Sequence, residues 1–181
     1  MKGLKDLFGC VIGSPCSNDA NPNDPQSWYN KGISLMTQCS YEEAISCFGR
    51  AAQLDPMDVK AWNNKGICFL SLSRFDDAME CIEKAIEIDP HHAFYWYNKG
   101  ICQDRLGHLE QAIQSFDKAI ELHPKYAEAW FNKAVAQESI GDKQAAIDTW
   151  RKYLKVAANN KKQKDWMARA IERLAELEGE N

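Results

Sequence analysis

Trp28-Tyr29-Asn30-Lys31-Gly32 returns three times along a chain of 181 residues. It reappears as Trp62-Asn63-Asn64-Lys65-Gly66, Trp96-Tyr97-Asn98-Lys99-Gly100 and Trp130-Phe131-Asn132-Lys133-Ala134, at an interval of 34 residues each time. Beyond each copy stands a second small residue in the same register, Ala44, Ala78, Ala112 and Ala146. A fixed period of roughly 20–50 residues marks a stacked-repeat architecture, in which each unit buries its apolar face only against its neighbours.

Working outward from these copies, Asp24-Pro25 supplies an N-cap and a proline at a first helical position. Pro56, Pro90 and Pro124 each stop a helix. The spacing predicts helix pairs over 25–38 and 41–54, 59–72 and 75–88, 93–106 and 109–122, and 127–140 and 143–156. Gly107 and Gly141 fall in the turns inside two of these pairs, where a left-handed conformation closes the helix. Small residues such as Gly32 and Ala44 let the two helices of a pair approach closely, with Trp28 and Phe48 filling the space beside them.

Trp28, Gly32, Leu35, Ala44, Phe48, Ala51 and Pro56 stand at the spacing of the tetratricopeptide repeat, which this chain therefore resembles. The second copy keeps Trp62, Gly66, Phe69, Ala78, Ala85 and Pro90, and the third keeps Trp96, Gly100, Ala112, Phe116, Ala119 and Pro124. The fourth drifts, with Ala134 in the glycine place and Trp150 in the phenylalanine place. The resemblance implies an all-α fold, a right-handed α-solenoid of stacked antiparallel helix pairs. Residues 1–24 then form an N-terminal tail, residues 25–160 four repeats (25–58, 59–92, 93–126, 127–160), and residues 161–181 a capping helix and tail. Trp166 and Ala170 repeat the Trp-x3-small step 36 residues after Trp130, which reads as a two-residue insertion before a cap over 163–178.

Composition narrows the function classes. A formal net charge of −4 gives no basic footprint for nucleic acid. The only apolar run near the start, residues 8–12, is too short for a signal sequence or a membrane span, so no membrane partner is expected. Seven cysteines follow no metal spacing, and Cys47/Cys81 and Cys68/Cys102 follow the 34-residue period instead. They read as small buried hydrophobes, reduced, in a cytoplasmic protein. Asp89, His91 and His92 form an isolated turn cluster and read as solvated, so no metal or other cofactor is expected. No nucleophile–base arrangement or phosphate loop marks an enzyme.

The positions that the helix pairs do not need carry the functional expectation. In the family, the first helix of each pair lines the concave groove. On those helices Asn30, Asn64, Asn98 and Asn132 form one column, Tyr29, Asn63, Tyr97 and Phe131 a second, and Ile33, Ile67, Ile101 and Val135 a third. Asparagine disfavours helix interiors, yet its amide matches the C=O and N–H of a peptide unit. With Phe94, the three columns are expected to bind an extended or amphipathic peptide segment, making the chain an adaptor for a protein partner. The alternative use of the asparagines is to satisfy neighbouring helices, and the aromatics read equally as anchors or as packing.

The family's clamp for chaperone tails is not reproduced. Its places hold Tyr29, Ile33, Asn64, Phe94 and Asn98, and only Asn64 matches. Lys31, Lys65, Lys99 and Lys133 depart from the usual leucine and are expected to cover apolar surface with their stems, their heads meeting acids such as Glu87 and Glu121. A second function is self-association, with Leu4, Leu7, Phe8, Val11 and Ile12 of the tail docking on a neighbouring chain to give a homo-oligomer.

Overall fold

The computed structural model describes residues 21–158 and 160–179, in two compact units that divide after Pro90. All regular structure among the described residues is helical.

In the first unit, α1 (Pro25–Thr37) pairs with α2 (Tyr41–Leu54), and α3 (Val59–Ser71) with α4 (Phe75–Ile88). Asp24 and Asp58 start α1 and α3 by accepting hydrogen bonds from first-turn amides, Gln26 and Ser27 in one case and Lys60 and Ala61 in the other. The glycines set how close the paired helices come. A Cβ on Gly32 would stand 2.6 Å from Cε1 of Phe48, and one on Gly66 would stand 2.8 Å from Cγ1 of Ile82. Proline does more than end the second helix: the Pro56 carbonyl accepts a 3.0 Å bond from the Trp62 indole, which ties one pair to the next. Phe48, Cys47, Cys68 and Leu35 close the core between them.

The turns inside both pairs have one geometry. Cys39 and Ser73 lie at positive φ, 61° and 59°. The next amide bonds back across the turn, Ser40 to the Leu35 carbonyl at 2.9 Å and Arg74 to the Phe69 carbonyl at 2.9 Å. This is the C-terminal closure that a left-handed residue permits.

In the second unit, α5 (Ala93–Arg105) pairs with α6 (Leu109–Leu122), and α7 (Ala127–Ser139) with α8 (Lys143–Ala157). The same turn is made here by Gly107 and Gly141 at φ 80° and 81°. Phe116, Trp150 and Tyr153 are wholly buried. The Trp130 indole donates to the Pro124 carbonyl at 2.9 Å, repeating the tie of the first unit.

A short 3-10 turn, Lys161–Gln163, leads into α9 (Lys164–Gly179). Here the structure corrects the expected two-residue insertion. Asn160 caps the turn through Lys162, 34 residues after Tyr126, the N-cap residue of α7, so the period is unbroken. Ala170, fully buried, falls 34 residues after Ala136, which is also fully buried. Trp166 therefore stands in the asparagine column, not the tryptophan column, and its resemblance to Trp130 is coincidental. With Met167, Leu174 and Leu177 it covers the core of the fourth pair. The residues expected to form the N-terminal tail lie, apart from 21–24, outside the described residues.

Candidate functional site

The first helix of each pair presents the three expected columns, and burial sorts them. In the first unit the Asn64 amide donates 3.0 Å to the Tyr29 hydroxyl, which lies on the preceding pair. Asn30 is exposed and accepts from the Gln26 amide at 2.9 Å. Ile33 is half-buried, while Asn63 and Ile67 are buried.

The second unit repeats the central bond: the Asn132 amide donates 3.1 Å to the Tyr97 hydroxyl. Among the described residues, the carbonyl oxygen of Asn132 accepts no hydrogen bond. Asn98 is buried; Ile101, Val135 and Phe94 are half-buried. Tyr97 packs between Phe116 and Tyr126, with ring centroids 6.0 and 4.9 Å away, and this burial pushes its phenol well above the ordinary value. Phe131 is enclosed by Trp150, Tyr153 and Trp166 at 4.9, 5.3 and 4.6 Å. Three of the four residues in the column Tyr29, Asn63, Tyr97, Phe131 thus place their surface in the core. The half-exposed line is Ile33 with Asn30 and Asn64 in one unit, and Phe94, Ile101, Asn132 and Val135 in the other.

The lysine column meets the expectation in part. Lys31, Lys65, Lys99 and Lys133 each lie over the tryptophan of their own repeat, with the ammonium 5.4–5.9 Å from the ring centroid. That distance is within cation–π range, and the stems cover the indoles. Lys133 also pairs with Asp117 at 2.5 Å. The acids expected to meet this column are engaged elsewhere, Glu87 by Lys84 and Glu121 by Lys118.

Two glutamines, Gln103 and Gln137, are buried at matching places in their pairs. Gln103 accepts from the Ser115 hydroxyl at 2.6 Å, whereas the Gln137 oxygen is buried without a partner among the described residues. The cysteines also divide. Cys47, Cys68, Cys81 and Cys102 are free and buried, and burial raises the thiols of Cys68 and Cys81 to about 12 and about 11, which makes them poor nucleophiles. Cys39 is disulfide-bonded, against the expectation that every thiol is reduced. Among the described residues no group of three or more His, Cys, Asp or Glu side chains is placed to hold a metal.

A charged face on the cap, with Arg169 and Arg173, is legible in the sequence, but the groups it binds are not. The Glu138 carboxylate accepts from the Trp150 indole at 2.6 Å and from Arg173, Nε at 2.9 Å. Gln163 bridges the Tyr153 hydroxyl and the Glu128 carboxylate at 3.0 and 2.6 Å. Counting the unbroken period from Asn160 would have placed Arg169 beside Val135 and revealed this edge.

Tetratricopeptide repeat models match residues 25–58, 59–92 and 93–126, and a further such model matches residues 115–148. The chain belongs to the tetratricopeptide repeat family. Solved tetratricopeptide structures share its fold at low identity. MamA from Desulfovibrio magneticus RS-1, residues 41 to the end, is 24% identical with a TM-score of 0.73, over 77% of this chain and 78% of that one. YrrB, described as having an unusual peptide-binding site, is 17% identical with a TM-score of 0.68, over 87% and 88%. The first such domain of Spaghetti (RPAP3), solved with the HSP90 peptide SRMEEVD, is 20% identical with a TM-score of 0.64, over 69% and 99%. No curated protein matches the chain. Among the described residues, no helix is long and apolar enough to cross a membrane.

Proposed function

We propose that this tetratricopeptide chain is a protein-interaction adaptor, not an enzyme, that binds an extended partner segment along the paired first helices within a unit. The observation carrying this reading is the half-engaged asparagine. Asn64 and Asn132 each use one amide N–H on a tyrosine hydroxyl of the preceding pair, which fixes the amide plane before any ligand arrives. At Asn132 the remaining donor and the carbonyl acceptor match a peptide unit, each bond contributing about 1 kcal/mol net, whereas the Asn64 carbonyl already accepts from the Asn63 amide at 3.5 Å and leaves that residue a donor. Ile33, Phe94, Ile101 and Val135, half-buried on first helices of the two units, offer apolar contact surface. Peptide-bound relatives such as the RPAP3 domain support the mode, although of the clamp residues of chaperone-tail binders only Asn64 is present here. A cytoplasmic location accords with the four free buried thiols and not with the disulfide at Cys39.

The structural and ligand roles of these asparagines are separable. Peptides selected from a random displayed library on the full chain are measured against Asn132→Ala and Tyr97→Phe. Both variants remove the same internal bond, but only the first removes the ligand-facing amide. Weakening of about five- to tenfold in Asn132→Ala is expected, with a smaller loss of about two- to threefold in Tyr97→Phe, which loosens the amide but keeps it. Equal affinity for wild type and Asn132→Ala, or equal loss in both variants, overturns the reading.

A further inference from the structure

The chain carries its own control for what the inter-repeat loop needs. In the first unit that loop reads Asp55-Pro56-Met57-Asp58, and Asp58 caps α3. The positions of Asp55, Met57 and Asp58 recur at 34-residue steps. Met57 and Asp58 become His91 and His92 before α5; in the loop before α7 the three are His123, Lys125 and Tyr126. Both helices form, although neither His92 nor Tyr126 makes a side-chain cap bond. The fold accepts aspartate or methionine at these places, so helix formation does not require the imidazoles or the ammonium.

The exchanged residues converge. Within the second unit His91, His92, His123, Lys125, Tyr126 and Phe94 line one cavity of about 520 Å³. The His92 ring stacks on Tyr95 at 4.6 Å and the His123 ring tilts against Tyr126 at 6.0 Å, so aromatic neighbours hold both in place. Asn160 and Glu128 complete the polar wall, and the Glu128 carboxylate is occupied by the Gln163 amide. Imidazole donates an N–H in either tautomer and lysine offers three donors. The first turn of α5, which no side chain caps and which holds no acid, adds partial positive charge, while in α7 the Glu128 carboxylate offsets it. Phe94 and Tyr126 give the same space an apolar side. Donors of this kind beside an aromatic wall, in a volume larger than one ion, fit an oxyanion on a short apolar arm.

We propose that this cavity binds an oxyanion, a carboxylate or a phosphate monoester, carried on a side chain of a partner polypeptide. The site goes beyond the asparagine groove and stands whether or not that groove takes a peptide. The test is an amide NMR titration of the full chain with inorganic phosphate and, separately, with glutarate, at ionic strength held constant with chloride. Saturable shifts are expected at the amides of Ala93, Phe94, Ala127 and Glu128. A response to phosphate alone identifies the phosphate monoester, and a response to glutarate alone the carboxylate.

Three variants restore the first unit's residues: His92→Asp, His123→Asp and Lys125→Met. Each aspartate should weaken the response by at least about tenfold, and the methionine by about threefold. His92→Asp should also raise the thermal midpoint, because aspartate caps α5 as Asp58 caps α3; binding lost with stability gained cannot be unfolding. Should that variant lose its fold, Lys125→Met, at an exposed position, decides alone. Saturable shifts absent from these amides, or equal in wild type and Lys125→Met, overturn the proposal.

Discussion

The indole of Trp166 lies 4.6 Å from the ring of Phe131, 35 residues earlier, the same separation at which Asn64 meets Tyr29 and Asn132 meets Tyr97. The cap therefore docks as the first helix of a further repeat, with a ring replacing the amide–hydroxyl bond. Gln163 to Glu128 and Arg173 to Glu138 keep the same separation. One surface relation serves every junction of this kind within a unit, and the cap alters only its chemistry. Ile171 shows the consequence. It occupies the column of Leu35, Phe69, Gln103 and Gln137, all buried, and is itself 56% exposed, with no second helix of its own among the described residues.

Trp166→Ala should release α9 from the fourth pair. Truncating a large aromatic costs about 3–5 kcal/mol when fully buried, so this half-buried ring is worth about 2 kcal/mol. Hydrogen exchange should show the loss as faster exchange across α8 and α9, because stability in repeat arrays is set by neighbouring interfaces. Unchanged protection there would place the energy of the cap in its ionic contacts instead.

Ser73 is held at φ 59° in a turn that Gly107 and Gly141 make at φ 80° and 81°. A left-handed conformation costs a residue with a Cβ about 1–2 kcal/mol, and glycine returns part of that advantage through its unfolded-state freedom. Ser73→Gly should stabilise by about 0.5–1 kcal/mol. The converse, Gly141→Ala, should destabilise by about 1 kcal/mol although nothing lies within 4 Å of the added Cβ, since the strain is in the backbone. Denaturant midpoints of the two variants moving in the same direction would rule this out.

The helix pairs were legible because they rest on periodic residues with one physical task each. Gly32 and Gly100 must be small, since a Cβ there would meet the ring of Phe48 or Phe116 at 2.6 or 2.5 Å. The cap's register was misread because Trp166 mimics the tryptophan step, while the weaker signal, Asn160 in the N-cap column, was the true marker. For the candidate site, the asparagine column could be seen but not its tether: Tyr29 and Tyr97 look like ligand anchors until their hydroxyls are found holding Asn64 and Asn132. Burial of that kind depends on the neighbouring pair, which no single repeat encodes.

Asp104 stands where the first unit places Met36 and Leu70, and it is half-buried without a hydrogen-bond partner for its carboxylate among the described residues. Desolvation raises its carboxyl above the ordinary value, with Arg105 opposing. The sign of the linkage follows. The folded carboxyl holds its proton more tightly than the unfolded one, so the unfolded state binds fewer protons as pH rises through that range, and stability falls. The penalty is complete above the folded-state value and vanishes in acid, where both states are protonated. Asp104→Asn should therefore raise the thermal midpoint near pH 7 and leave it unchanged at about pH 3. Screening at a half-exposed group keeps the gain small, on the order of 1–2 °C. Calorimetry across that range checks it, and a gain of the same size at both ends would show that the carboxylate's charge is not the cause.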